Sequence, residues 1–302
     1  MNYFFSADTF LMIIRLAIPL ILVSLSSTLS ELSGIISLGT EGLMLMGAFG
    51  AVVGTYFTGS PILGIIFGMI FTAIFALLFA ILCIKFKANQ TVCGVGLNLF
   101  SQGFTAFGTF IIWGQEGISA KVTQLNLISI PFLKNIPGIG ILFKNQSPVL
   151  YITAIFAGLI WYVLKYTKTG LRLKAISDDP IAANSVGIDT KKYKYVSMLL
   201  VGCLAGLGGS YLSIVQNNVF VNNMVAGRGF LGVAANIFGG WTPLGSVGSS
   251  FIFAIAQAIR FNLVGLKIPD QFIQMVPYLI TILALVFFGN RKQSPKALGK
   301  VE

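Results

Sequence analysis

Apolar residues run nearly uninterrupted near positions 10–30, 42–57, 61–84, 91–112, 148–165, 195–216, 243–260 and 271–289, with a shorter apolar piece at 228–240. Most of the longer runs come close to the ~20 residues a helix needs to cross a hydrocarbon core. In lipid every backbone N–H and C=O must be paired within the protein, so runs of this kind predict helices. The expected fold is an all-α integral membrane protein, a single domain over 1–302 with about eight to ten transmembrane helices.

Two apolar elements are broken. SGIISLGTEG (33–42) is punctuated by glycine and carries Glu41, and GRGFLGVAANIFGGW (227–241) is a short apolar stretch with glycine at both ends. A turn with proline follows each, TGSP at 58–61 and WTP at 241–243. Paired Gly/Pro-broken segments at corresponding places in two halves point to an internal repeat that builds a site near the membrane midplane, with broken or re-entrant segments. Glycines also crowd 34–54 and 202–209, where small residues allow close helix contact in lipid.

Composition agrees with the pattern. Charged residues make up 10% of the chain, against roughly 25% in soluble domains. The net charge of +11 does not indicate a nucleic-acid partner, because the basic residues sit in the connections, where they mark the cytoplasmic side. Lys85 and Lys87, the stretch 168–194, and Arg291, Lys292, Lys296 and Lys300 then face inward. That places the N-terminus and the loop 113–147 outside and makes the piece at 228–240 cross or dip. No basic residue precedes Arg15 and no A-x-A site follows, so 10–30 reads as a retained span and not a signal peptide. With no histidine and three cysteines outside any CxxC spacing, no metal site or disulfide framework is indicated.

The stretch KTGLRLKAISDDPIAANSVGIDTKKYK (168–194) holds six basic and three acidic residues. Asp178 and Asp179 before Pro180, and Gly187 after IAANSV, predict a capped helix at 180–186. A helix this short is marginal alone. Its small face, Ala182, Ala183 and Ser185, offers little to bury against its own protein and suits a groove on a partner.

These residues resemble the cytoplasmic coupling segment of permease subunits of ABC importers, in the branch that includes ribose, branched-chain amino acid and nucleoside permeases. ISLGTEGLMLMGAF (36–49), KANQTVCGVGLNLF (87–100) and GRGFLGVAANIFGGW (227–241) resemble further signatures, and IPFLKNIPGIGILF (130–143) is similar to an outward segment of the purine nucleoside branch, which depends on a basic membrane lipoprotein. The resemblance implies a multi-pass permease in a bacterial cytoplasmic membrane, with a coupling segment at 166–194 whose helix uses Asp178, Asp179, Pro180, Ala182, Ala183, Asn184 and Gly187. It implies three partners: a cytoplasmic ABC ATPase that carries ATP and Mg, a second, different permease chain, and an extracytoplasmic solute-binding lipoprotein. This chain has no GxxxxGK[ST] of its own, so it binds no cofactor in this reading and is not an enzyme.

Polar side chains at membrane depth are costly and so are candidates for a passage. They are Glu41, Asn89, Gln90, Asn98, Gln102, Asn236 and Gln257. Amides suit a nucleoside, whose base and ribose both donate and accept hydrogen bonds; bonding between helices and helix capping are the rival roles. A sugar or branched-chain amino acid is the alternative solute, and a stand-alone secondary carrier or channel the alternative class. ATP-driven transport needs no proton on Glu41, so Glu41→Gln is expected to be tolerated.

Overall fold

The computed structural model describes residues 7–115, 117–128, 146–263 and 294–299. Ten α-helices occur there: α1 (Ala7–Leu32), α2 (Thr40–Thr58), α3 (Pro61–Ile84), α4 (Gln90–Trp113), α5 (Pro148–Tyr166), α6 (Lys168–Asp178), α7 (Pro180–Ser185), α8 (Thr190–Ser210), α9 (Arg228–Phe238) and α10 (Pro243–Leu263). A π-helical stretch, Tyr211–Asn217, extends α8. Among the described residues, seven helical segments are long and apolar enough to span a membrane. The chain is a multi-pass, all-α membrane protein. The eighth apolar run, 271–289, lies outside the described residues.

Local chemistry sets the helix ends. Pro61 and Pro148 open α3 and α5, where a missing N–H costs nothing. Asn89 caps α4 by accepting from the N–H groups of Thr91 and Val92, and left-handed Gly59 and Gly114 close α2 and α4. Asp189 caps α8, so that helix starts five residues before the apolar run at 195, with its basic first turn included. The piece at 228–240 is an 11-residue helix, too short to span. It dips.

α2 and α8 form the inner layer, with 89% and 83% of their apolar windows buried, against 22% for α4 and α5. Glycine makes this layer possible. A Cβ on Gly47 would lie 2.5 Å from Gly206 Cα, and one on Gly202 would lie 2.5 Å from Ala73 Cα. Backbones this close gain dispersion contacts that larger side chains would forfeit. α1 packs against α8, α9 and α10, while α3, α4 and α5 turn many apolar side chains outward, among them Ile66, Ile70, Leu99, Phe107 and Ile155.

The described part of the loop 113–147 runs along the chain after α8. Ser119 N–H donates to Phe220 O (3.0 Å), Val122 N–H to Asn218 O (2.9 Å) and Asn222 N–H to Gly117 O (2.7 Å). Residues 130–143, which carry the similarity to the nucleoside branch, lie outside the described residues.

The orientation drawn from the basic residues has a direct test. Ser177 and Thr190 are buried and would react from neither side, whereas Gln124, Asn184 and Lys191 are exposed. In a background without Cys83, Cys93 and Cys203, Gln124→Cys should react with an impermeant thiol reagent outside intact cells. Asn184→Cys and Lys191→Cys should react only after permeabilisation; the opposite pattern reverses the orientation.

Candidate functional site

The two broken segments meet. α1 ends at Leu32, the chain turns through left-handed Gly34 (φ 86°), a 3-10 turn covers Ser37–Gly39, and α2 begins at Thr40. This places the buried carboxylates of Glu31 and Glu41 on either side of the break. Each holds one end of α9. Glu41 Oε1 accepts from Gly227 N–H (2.7 Å) and Oε2 from Gly229 N–H (2.7 Å). Glu31 Oε2 accepts from Asn236 Nδ2 (3.0 Å) and Trp241 Nε1 (2.5 Å), and Oε1 from Ser37 Oγ (2.6 Å).

The physical reason is the short helix itself. The N–H groups opening a helix have no intrahelical acceptor, and this end carries partial positive charge. Where water is excluded, a carboxylate answers both needs at once. A glycine is required at 229, since a Cβ there would lie 2.5 Å from Glu41 Cα. The backbone on both sides of α9 is unusual: Ala226 (φ 49°) and Gly227 (φ 82°) precede it, and Gly240 (φ 60°) and Trp241 (φ 54°) follow it. A bulky residue such as Trp241 at positive φ costs of order 1–3 kcal/mol unless its surroundings enforce it. Here the indole bond to Glu31 and a backbone bond from Trp241 N–H to Asn236 O (3.2 Å) hold it.

A buried polar seam continues from Glu31 along α1. Thr28 Oγ1 donates to Asn236 Oδ1 (2.7 Å) and pairs with Ser246 Oγ (2.9 Å), and Ser24 Oγ pairs with Ser250 Oγ (2.9 Å). Positions 24, 28 and 31 fall on one face of α1. That spacing, within SLSSTLSE (24–31), is the signal by which the seam could have been found.

Most of the sequence candidates turn out to tie helices together. Asn98 Oδ1 accepts from Gly42 N–H (2.8 Å) and Nδ2 donates to Leu38 O (2.9 Å), fixing the start of α2 to α4. Gln90 Oε1 accepts from Ile36 N–H (2.8 Å). Asn89 is the cap of α4, Asn236 belongs to the Glu31 seam, and Gln257 is buried on α10. Glu41 caps α9, a helix nearly two hundred residues away, and not the helix that follows it. Gln102 alone of these amides lies on an exposed stretch of a spanning helix, beside Gly103 and one turn from Leu99.

Two charged residues outside that set, Arg15 and Arg228, line a cavity of about 450 Å³ beside the start of α9, with Gln216, Asn217 and Met224. Arg228 Nη1 donates to Met224 O (3.1 Å) and Val225 O (3.2 Å) and braces the loop that enters α9.

At 166–194 the expected helix is present as α7. Asp179 Oδ1 accepts from Ile181 N–H (3.0 Å) and Ala182 N–H (3.1 Å), Pro180 starts it, and Gly187 follows in the left-handed region (φ 83°). Asn184 Oδ1 accepts from Thr190 and closes the turn into α8. Asp178 ends α6 and is exposed. The small-face expectation needs correcting. Ala183 and Pro180 are buried against the chain's own helices, while Ala182 and Ser185 are exposed. The uncovered apolar residues are larger: Ile181 is 74% exposed, Val186 76% and Leu171 70%.

A family model described as branched-chain amino acid transport system / permease component matches residues 9–285. The chain belongs to this family. The permease is 35% identical over 294 residues to the guanosine ABC transporter permease protein NupQ of Bacillus subtilis (strain 168), covering 94% of this chain and 92% of that one. It is 36% identical over 293 residues to the nucleoside ABC transporter permease protein NupC of Lactococcus lactis subsp. cremoris (strain MG1363), covering 93% and 92%. A solved structure of PsaBC from Streptococcus pneumoniae in complex with Fab aligns over 95% of this chain and 91% of that one, with a TM-score of 0.52 at 15% identity; that likeness concerns the fold alone. Members of the family are permeases, and this chain is a membrane transport subunit and not an enzyme.

Proposed function

We propose that the permease is one of two membrane subunits of an ATP-driven importer for nucleosides in a bacterial cytoplasmic membrane. The observation that carries the subunit role is α7, a six-residue capped helix that leaves Ile181, and Val186 just past its end, uncovered in a segment rich in lysine and arginine. An apolar pair on such a helix gains most by seating in a cleft of a separate protein, here the ABC ATPase that supplies ATP and Mg. The similarity to guanosine and nucleoside permeases over nearly the whole chain supports the substrate class.

The second permease, a different chain, would cover α4. Exposed Gln102 sits there among Val95, Gly96, Leu99, Gly103 and Phe107. An amide facing hydrocarbon is costly, so this face suits a protein partner and a polar solute passing between the two subunits. Solute delivered by an extracytoplasmic lipoprotein would enter from the side of the cavity beside α9.

The experiment is uptake of labelled guanosine in a strain lacking this gene and complemented with it, with unlabelled nucleosides, sugars and branched-chain amino acids as competitors. Nucleosides should compete and the other two classes should not. In proteoliposomes of the assembled transporter, Ile181→Arg should reduce solute-stimulated ATP hydrolysis about tenfold or more while leaving subunit insertion intact, since a buried unpaired charge costs several kcal/mol at an interface. Competition by sugars alone would reassign the solute. Unchanged stimulation would remove α7 from the ATPase interface.

A further inference from the structure

A second cavity, of about 390 Å³, opens where α6 meets the foot of α8, lined by Thr169, Arg172, Gly187, Ile188, Asp189, Lys192, Tyr193 and Val196. Arg172 Nη1 donates to Tyr193 OH (2.8 Å), which fixes the guanidinium at the cavity edge. Asp189 is the one carboxylate in the lining, and its Oδ1 is committed to Lys192 N–H (3.1 Å) as the cap of α8. Two cations therefore face a space whose acid is engaged with backbone.

What lies above the cavity gives the ligand its shape. Lys192, Val196, Leu199 and Leu200 recur at helical spacing along α8 and are all exposed, the last three at 53%, 41% and 45%. The face is cationic at its foot and apolar from its second turn onward, along a helix that crosses the membrane. A free anion would use only the foot. An amphiphile uses both parts, its phosphate against Arg172, Lys192 and the Tyr193 hydroxyl and its acyl chain along Val196 and Leu200.

We propose that this cavity is a binding site for one anionic phospholipid of the leaflet that faces the coupling segment. Basic pockets at the membrane surface draw anionic headgroups with a contribution from each lysine or arginine near the surface, and arginine suits phosphate through its paired donors. The lipid sits between α6 and α8, the two helices that flank α7, and so braces the coupling helix from the membrane side. The coupling role rests on the function proposed above; the lipid site itself does not.

The test is native mass spectrometry of the assembled transporter in detergent with equal amounts of phosphatidylglycerol and phosphatidylcholine. Wild type should retain phosphatidylglycerol preferentially. Arg172→Gln with Lys192→Gln should weaken that retention about 30-fold, the loss of two surface cations. Lys168→Gln with Lys174→Gln removes the same charge outside the cavity and should retain the lipid, as should the swap Arg172→Lys with Lys192→Arg. Millimolar inorganic phosphate should not displace it. Equal retention of the two lipids, an equal loss in both Gln pairs, or displacement by phosphate would each overturn the proposal. Retention is read without uptake or ATP hydrolysis, so failure of the transport reading would show separately.

Discussion

Gly209→Leu should leave no folded permease. A Cβ at Gly209 would lie 1.9 Å from Met44 O and 2.7 Å from Ala48 N, so the neighbours are backbone atoms of α2 and cannot swing aside. Overpacking of a core that can adjust already costs about 1–3 kcal/mol, and this contact joins the two most deeply buried of the described spanning helices. Loss of monodisperse protein after detergent extraction, together with loss of uptake, is the expected result. Gly158→Leu on α5 is the control. Gly158 is exposed with nothing within 4 Å of its Cβ position, and leucine favours helix by about 1 kcal/mol over glycine. Folded Gly209→Leu protein at wild-type yield would mean that α2 and α8 do not approach as described.

Glu41→Gln should lower uptake about tenfold or more in protein that still extracts folded. Glutamine supplies one acceptor oxygen where two N–H groups, of Gly227 and Gly229, each need one at 2.7 Å. Its NH₂ would confront a second donor. An unsatisfied buried donor costs about 1–3 kcal/mol, and here that loss falls at the strained entry to α9. Glu31→Gln should be milder, because one oxygen, Oε2, accepts from both Asn236 and Trp241, and glutamine keeps one such oxygen while its NH₂ can donate to the Ser37 hydroxyl. The expectation from sequence was that Glu41→Gln is tolerated; the two N–H groups that share its carboxylate argue the other way. Uptake by the wild type should persist when an uncoupler is added at constant ATP. Wild-type uptake by Glu41→Gln would disprove the clamp. Loss of uptake in Glu41→Gln, joined by collapse of wild-type uptake with the uncoupler at constant ATP, would instead point to a secondary carrier.

The spans were legible because a membrane helix is specified locally. Each needs an apolar run of sufficient length and a cap within a few residues, as Asn89, Asp179 and Asp189 supply. The interruption at 227–241 and the capped helix at 180–185 were readable for the same reason: Gly, Pro and Asp restrict their own neighbourhood. Polarity at membrane depth also marked Glu41, Asn98 and Asn236 as consequential.

Their partners could not be read in this way. Glu41 meets Gly227 across 186 positions and Glu31 meets Trp241 across 210, and nothing in the local sequence around either carboxylate encodes such a meeting. The same limit hid the burial of Ala183, which depends on how α7 leans on α8, and the exposure of Gln102, which depends on which face of α4 is left uncovered. The sequence by itself determined that this is a helical membrane protein with a broken helical element and a short capped helix in a charged segment, since apolar length, capping and charge placement act over a few residues. Only the tertiary structure decided that two carboxylates clamp the broken helix and which side chains remain free to meet a partner, because hydrogen bonds and burial depend on helices brought together from distant parts of the chain.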